Sequence, residues 1–223
     1  MTDALPPPRP VLVAFVVAAV LNVVCVAADV AWLEHATKPL LCGLLLVWAW
    51  LACDRRPPTL LVVGLLFALA GDELLGPDGS LWFVAGMAAF LGMQVCYVVG
   101  FVRLGALDRL RAKPWVAAAW ALLWLVIQVV VGPSLGSLQV PVLVYSAALV
   151  TMAATALATG SRRIGVGGVS FLVSDALIGL GAAGLTVPAR GVLVMTTYSL
   201  AQFLIVTGWV LAVRSPATSR AVA

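Results

Sequence analysis

Apolar positions in this chain run in long unbroken blocks, interrupted only at charges and at Pro/Gly clusters. Eight blocks stand out: 10–28, 38–53, 59–76, 80–102, 114–132, 138–159, 164–186 and 190–213. A helix that crosses a bilayer needs about 20 mainly apolar residues, with a range of about 17–25, so the second block is the one whose ends are least fixed. In lipid only helices and closed barrels satisfy every backbone group. Barrel strands would alternate apolar and polar residues, and these blocks do not. The pattern therefore predicts an all-α fold, a polytopic transmembrane helical bundle of eight spans. The connections are too brief for a separate soluble domain, so residues 1–223 form one integral membrane domain.

Composition agrees. Hydrophobic residues make up 63% and charged residues 10%, with a mean hydropathy of +1.13. Soluble domains carry about 45–50% and about 25%, so a soluble globule, a disordered chain, a coiled coil and a secreted disulfide scaffold are all excluded. The net charge of +4 comes from basic residues scattered in twos and fours. That distribution suits loops against anionic membrane lipids and gives no groove for nucleic acid.

Charge placement also sets an orientation. With eight spans, one side of the membrane holds Arg9, Arg55, Arg56, Arg103, Arg109, Arg111, Lys113, Arg162, Arg163, Arg214 and Arg220, and the other only Lys38 and Arg190. By the positive-inside rule both termini are cytoplasmic. Asp29, Glu34, Asp72, Glu73 and Asp78 all fall at the opposite, outer ends. The first ten residues, with four prolines, read as a short polar lead, and Val11–Ala28 as a retained span rather than a signal peptide. An Ala/Val/Arg-rich, lysine-poor composition points to a GC-rich bacterial source and hence to the cytoplasmic membrane.

Cys25, Cys42, Cys53 and Cys96 form no CxxC, and His35 is the single histidine. The cysteines read as buried small hydrophobes, and His35 as a solvated loop residue. No metal site and no cofactor is expected. There is no GxxxxGK[ST] loop, no GxSxG elbow and no HExxH. What remains is a set of polar residues that are costly in lipid. Asp175 lies about 12 residues into its span, near mid-bilayer, where a charge costs about 2.5–3.5 kcal/mol on insertion scales. It should face the bundle interior, as part of a functional site or as a hydrogen-bonded tie between helices. Asp72 and Glu73 point about 100° apart on a helix, so only one can face a cleft; Asp72 is expected to be the inward one. Lys38 and Pro39 open the second span from the outer side, with Pro in a first turn. Lys38 is either a snorkelling lysine or a partner for a carboxylate or phosphate. Gln94 and Tyr97 share a helix face, as do Tyr198 and Gln202, and Tyr145 sits in the outer third of its span. These either glue helices together or line a polar cavity with the aspartates.

Two segments echo each other four spans apart: Gly71-Asp72-Glu73-Leu74-Leu75-Gly76 and Ser174-Asp175-Ala176-Leu177-Ile178-Gly179, each followed in the next span by a glutamine, Gln94 or Gln202. An even offset is the pattern of a 4+4 parallel repeat, against chance in a Leu/Gly/Ala-rich chain. The polar inventory fits acid/base chemistry on a lipid. It also fits a proton-coupled or small-solute transporter using the same aspartates, or a bundle in which the polar groups are only glue.

On Thr37-Lys38-Pro39-Leu40, Gly71-Asp72-x-Leu-Leu, Phe83-x-x-Gly86-x-x-x-Phe90-x-x-x-Gln94-x-x-Tyr97, Tyr145, Ser174-Asp175 and Tyr198-x-x-Ala201-Gln202, the chain resembles the YhhN family. That family's characterised members are lysoplasmalogenases. The family often has histidine where this chain has Gln94, and a glutamine can only hydrogen-bond. The resemblance implies hydrolysis of the vinyl ether bond of a lysophospholipid substrate. The products would be a fatty aldehyde and glycerophosphocholine or glycerophosphoethanolamine. Vinyl ethers hydrolyse by proton donation to the β-carbon and capture of the oxocarbenium ion by water. A carboxyl group taken out of water favours its neutral form, and two carboxyls in one cavity divide the roles of acid and base. The expectation is Asp175 as acid and Asp72 as the carboxylate that orients water, or the two exchanged. Lys38 would meet the phosphate, and Gln94, Tyr97, Tyr145, Tyr198 and Gln202 would position glycerol and water.

Overall fold

The computed structural model describes residues 8–76 and 79–214. Asp78, Arg220 and residues 1–7 of the polar lead lie outside the described residues. The described chain is helical throughout: α1 Arg9–Ala27, α2 Ala31–Ala52, α3 Thr59–Leu74, α4 Ser80–Arg103, α5 Ala106–Ala112, α6 Pro114–Val131, α7 Gln139–Ala158, α8 Arg162–Ala182 and α9 Arg190–Arg214, with two 3₁₀ turns between α6 and α7. Each of the eight apolar blocks becomes one long helix. Seven are long and apolar enough to cross a membrane by themselves; α3, at 16 residues, falls short of that length. The protein is a multi-pass membrane protein.

One boundary corrects the sequence reading. α2 starts at Ala31, not near Lys38, so His35 is helical rather than in a loop and Pro39 lies inside the helix rather than in its first turn. An apolar block ends where charge begins, but a helix can run on past the hydrocarbon. Glu34 sits in its first turn, where an acid meets the positive end of the helix dipole. Asn22 ties this extension to α1, donating to Thr37 Oγ1 (2.9 Å) and to the Glu34 carbonyl (3.2 Å). The short α5, absent from the apolar blocks, carries Asp108, Arg109 and Arg111. Arg109 donates to the carbonyls of Ala158 and Thr159 at the end of α7, and Arg214 to that of Ala52 at the end of α2. Basic side chains thus close the C-terminal ends of two helices at one end of the bundle.

Lipid tails are as apolar as the core, so helices associate through close packing and hydrogen bonds. Close approaches use small residues. A Cβ on Gly71 would stand 2.6 Å from Phe90 Cδ2, and one on Gly64 2.6 Å from Tyr97 Cε1. These two glycines let α3 lie against aromatic rings of α4, and the first of them adjoins Asp72. α6 differs from the rest. It packs chiefly on α7 and its flanking turns, with most of its side chains exposed.

Candidate active site

Two cavities lie toward the same end of the bundle. One, of about 290 Å³, is walled by α4, α6, α7 and α8 and is almost wholly apolar. Its polar groups are Asp175, Tyr145, Ser146, Gln128 and the Trp124 indole. The other, of about 100 Å³, is polar and lined by Glu34, His35, Lys38, Asp72, Glu73, Leu75 and Gly76. Leu75 is on the wall of both.

The two aspartates therefore do not share one chamber, as the sequence suggested; each opens on its own cavity. What separates them is bulk. Phe90, on the apolar wall, packs edge-on against Tyr198 at 6.1 Å, and Tyr198 holds Asp72. Asp72 is 3% exposed, whereas its neighbour Glu73 is exposed. Its Oδ2 accepts from Tyr198 OH at 2.5 Å and from Cys42 Sγ at 3.9 Å, and its Oδ1 lies 4.0 Å from Lys38 Nζ. Lys38 and Cys42 are four apart on α2 and share one face, which brings both to the same carboxyl.

Asp175 has a sparser environment. The Tyr145 hydroxyl donates to its Oδ2, and the cavity it lines is almost wholly apolar. Its neighbour Ser174 turns the other way and donates to the Val194 carbonyl of α9 at 3.2 Å. Gln94 lies beside the Tyr145 hydroxyl. It is 0% exposed. Each aspartate also meets a side chain 30 positions before it, Cys42 for Asp72 and Tyr145 for Asp175.

Tyr97 and Gln202 are placed elsewhere than expected. The Tyr97 hydroxyl donates to Gln202 Oε1 at 2.9 Å, and Gln202 Nε2 reaches Met93 Sδ at 3.4 Å. Both are buried, Tyr97 packs on Phe101 and Trp209, and neither lines a cavity. Helical spacing put Tyr97 on a face with Gln94 and Gln202 on a face with Tyr198, but Tyr97 and Gln202 bond to each other between α4 and α9. Sequence reasoning missed Cys42, Ser146, Trp124 and His35. The i,i+4 step from Lys38 was the signal for Cys42. For His35, Glu34 and Lys38 on one helix would have shown a polar face, had the helix been started early enough. Ser146 Oγ accepts from both Trp124 Nε1 (3.0 Å) and Gln128 Nε2 (2.9 Å), fastening α6 to α7 beside the apolar cavity. Nothing in the sequence pairs these residues. Among the described residues no His/Cys/Asp/Glu group could hold a metal ion.

The model for the YhhN family matches residues 33–209. Curated relatives named lysoplasmalogenase, from Mycobacterium bovis and Mycobacterium tuberculosis, are each 34% identical over 191 residues, covering 80% of this chain and 71% of the relative. No solved structure matches.

Proposed function

Because the chain belongs to the YhhN family, we propose that it hydrolyses the vinyl ether bond of a lysoplasmalogen, releasing a fatty aldehyde and a glycerophosphoethanolamine or glycerophosphocholine. The relatives' name supports the activity. The observation that carries the mechanism is Asp175, a lone carboxyl on the wall of an apolar cavity, with a polar pocket across Leu75. The alkenyl chain lies in the first and the glycerophosphate head at the second, with the phosphate toward Lys38.

The step needs a neutral carboxylic acid, and an acid facing hydrocarbon suits that requirement. Asp175 donates its proton to the β-carbon of R–CH=CH–O–R′, using the double bond's electron pair and leaving R–CH₂–CH=O⁺–R′. Asp72, beside Lys38 and Tyr198, is the fixed carboxylate that steadies this cation from the neighbouring pocket. Water adds its oxygen to the cationic carbon and gives up a proton to a carboxylate. The resulting hemiacetal moves its hydroxyl proton to the ether oxygen and breaks into aldehyde and glycerol hydroxyl. One water is consumed and no redox partner is needed. The basic residues gather at the end of the bundle where α1 starts and α9 stops, which by the positive-inside rule supports cytoplasmic termini and an outer position for both cavities.

The test is aldehyde release by purified protein in detergent from a lysoplasmalogen and from its saturated alkyl-ether counterpart. Turnover of the first and none of the second is expected, because only the vinyl ether offers a carbon to protonate. Absence of aldehyde from lysoplasmalogens of every head group would overturn the reading in favour of transport.

A further inference from the structure

We propose that the substrate's alkenyl chain runs out into the bilayer through a cleft between α6 and α8, so that the lysolipid is taken from the membrane and not from water; this rests on the hydrolase reading above. The apolar cavity is too shallow to hold the chain. With the vinyl ether at Asp175 and the head at the polar pocket, the chain points to the cavity's deep end. The walls there finish at Leu172 and Val150. These lie three residues from Asp175 on α8 and five from Tyr145 on α7, or about 5–8 Å of helix rise. A chain that crosses one leaflet covers about 15 Å, half of a hydrocarbon layer about 30 Å thick. The greater part of it therefore lies outside the cavity, among lipid tails.

The walls differ in what they face. On α4, the lining residues Met87 and Phe90 are buried, so that side is closed. On α8, two neighbouring stripes line the cavity. Leu172, Asp175 and Gly179 follow at steps of three and four, and Val173, Ala176 and Leu180 repeat the pattern one position on. The second stripe is the lipid-facing one: Val173 is 43% exposed, Ala176 is exposed, and Val166, seven residues earlier on the same face, is exposed as well. Ile127 of α6 also lines the cavity and is 38% exposed. Val173 and Ile127 are thus the two lips of the cleft. Packing accounts for the gap. A Cβ on Gly168 would stand 2.4 Å from Ala156 Cβ, whereas one on Gly179 would meet nothing within 4 Å. α7 and α8 therefore touch closely at one end and part beside Asp175. α6 is fastened to α7 through Ser146 and packs chiefly on α7, so it walls the cavity without sealing against α8.

The experiment places tryptophan on each lip, as Val173→Trp and Ile127→Trp, and follows aldehyde release from a hexadecenyl and a butenyl lysoplasmalogen. The short chain stays inside the cavity and has no need of the cleft. For each variant, kcat/KM for the hexadecenyl substrate is expected to fall at least tenfold, and that for the butenyl substrate to stay within about twofold. Val166→Trp, on the same stripe but outside the cavity, should leave the ratio of the two as in wild type. An unchanged ratio in either lip variant, or the same change of ratio in Val166→Trp, overturns the proposal. If wild type releases no aldehyde from either substrate, the hydrolase reading has failed. The cleft is then read by photolabelling with an alkyl-ether lysolipid that carries a diazirine on its chain. Label within residues 124–128 and 172–180 that unlabelled lysolipid competes away supports the cleft. Competed label elsewhere, or none, overturns it.

Discussion

Tyr198 donates its hydroxyl to Oδ2 of Asp72 at 2.5 Å, across 126 positions of sequence. The same tyrosine packs edge-on to Phe90 and Phe171, so the residue that fixes one aspartate also forms the partition from the other's cavity. Tyr198→Phe keeps the partition and removes the hydrogen bond. It should lower kcat several-fold without changing preference for chain length, read from aldehyde release on a chain series.

Asp175→Asn should abolish turnover, with aldehyde release down by at least a hundredfold. The amide has no proton to give at useful acidity, and it matches the carboxyl in shape. Binding should survive, so a non-hydrolysable alkyl-ether lysolipid should still compete for the variant with little change in affinity.

Lys38 and Asp72 should couple in stability. Removing one member of a buried ion pair is expected to cost about 3–5 kcal/mol, much of it from the partner left behind. Lys38 is 19% exposed and so retains some water, which places Lys38→Met and Asp72→Asn at the low end. The double variant should recover much of the loss in Tm but none of the activity. Thermal melts of the four proteins in one detergent measure this.

Tyr97 and Gln202 should behave as glue. Tyr97→Phe is expected to lower stability by about 0.6 kcal/mol, up to about 1.7, as for other hydrogen bonds between membrane helices. kcat and KM should stay within about twofold. A loss of turnover without loss of Tm would return these residues to the site.

Gly71→Ala tests the approach of α3 to α4. The added methyl would stand 2.6 Å from the Phe90 ring, and overpacking of this kind typically costs about 1–3 kcal/mol. Phe90 lines the apolar cavity, so turnover should fall together with Tm.

Much of this was legible in the residues themselves. Eight apolar blocks became eight long helices, because an insertion-competent segment must satisfy its own backbone whatever surrounds it. That only one of Asp72 and Glu73 turns inward followed from the 100° step between neighbours, and that it is Asp72 from its echo of Asp175. The start of α2 was not legible, since hydropathy marks where hydrocarbon ends and not where hydrogen bonding ends. Nor was the division between site and seam. Gln94 and Gln202 look alike in sequence, each on a face with a tyrosine, but one lies by Tyr145 while the other faces Tyr97 and Met93.

Sequence by itself determined the membrane-embedded helical class, the segments that fold as helices and the few polar groups too costly in lipid to lack a purpose. These depend on local composition and on transfer from water. Tertiary structure alone decided that Asp72 and Asp175 open on separate cavities that share Leu75 as a wall, and that Cys42, Tyr198 and Lys38 gather at one aspartate and Tyr145 at the other. Those contacts depend on helix rotation and on the packing of glycine against aromatic rings. Both are set between segments distant in the chain, where one helix's pattern carries no record of its neighbour's.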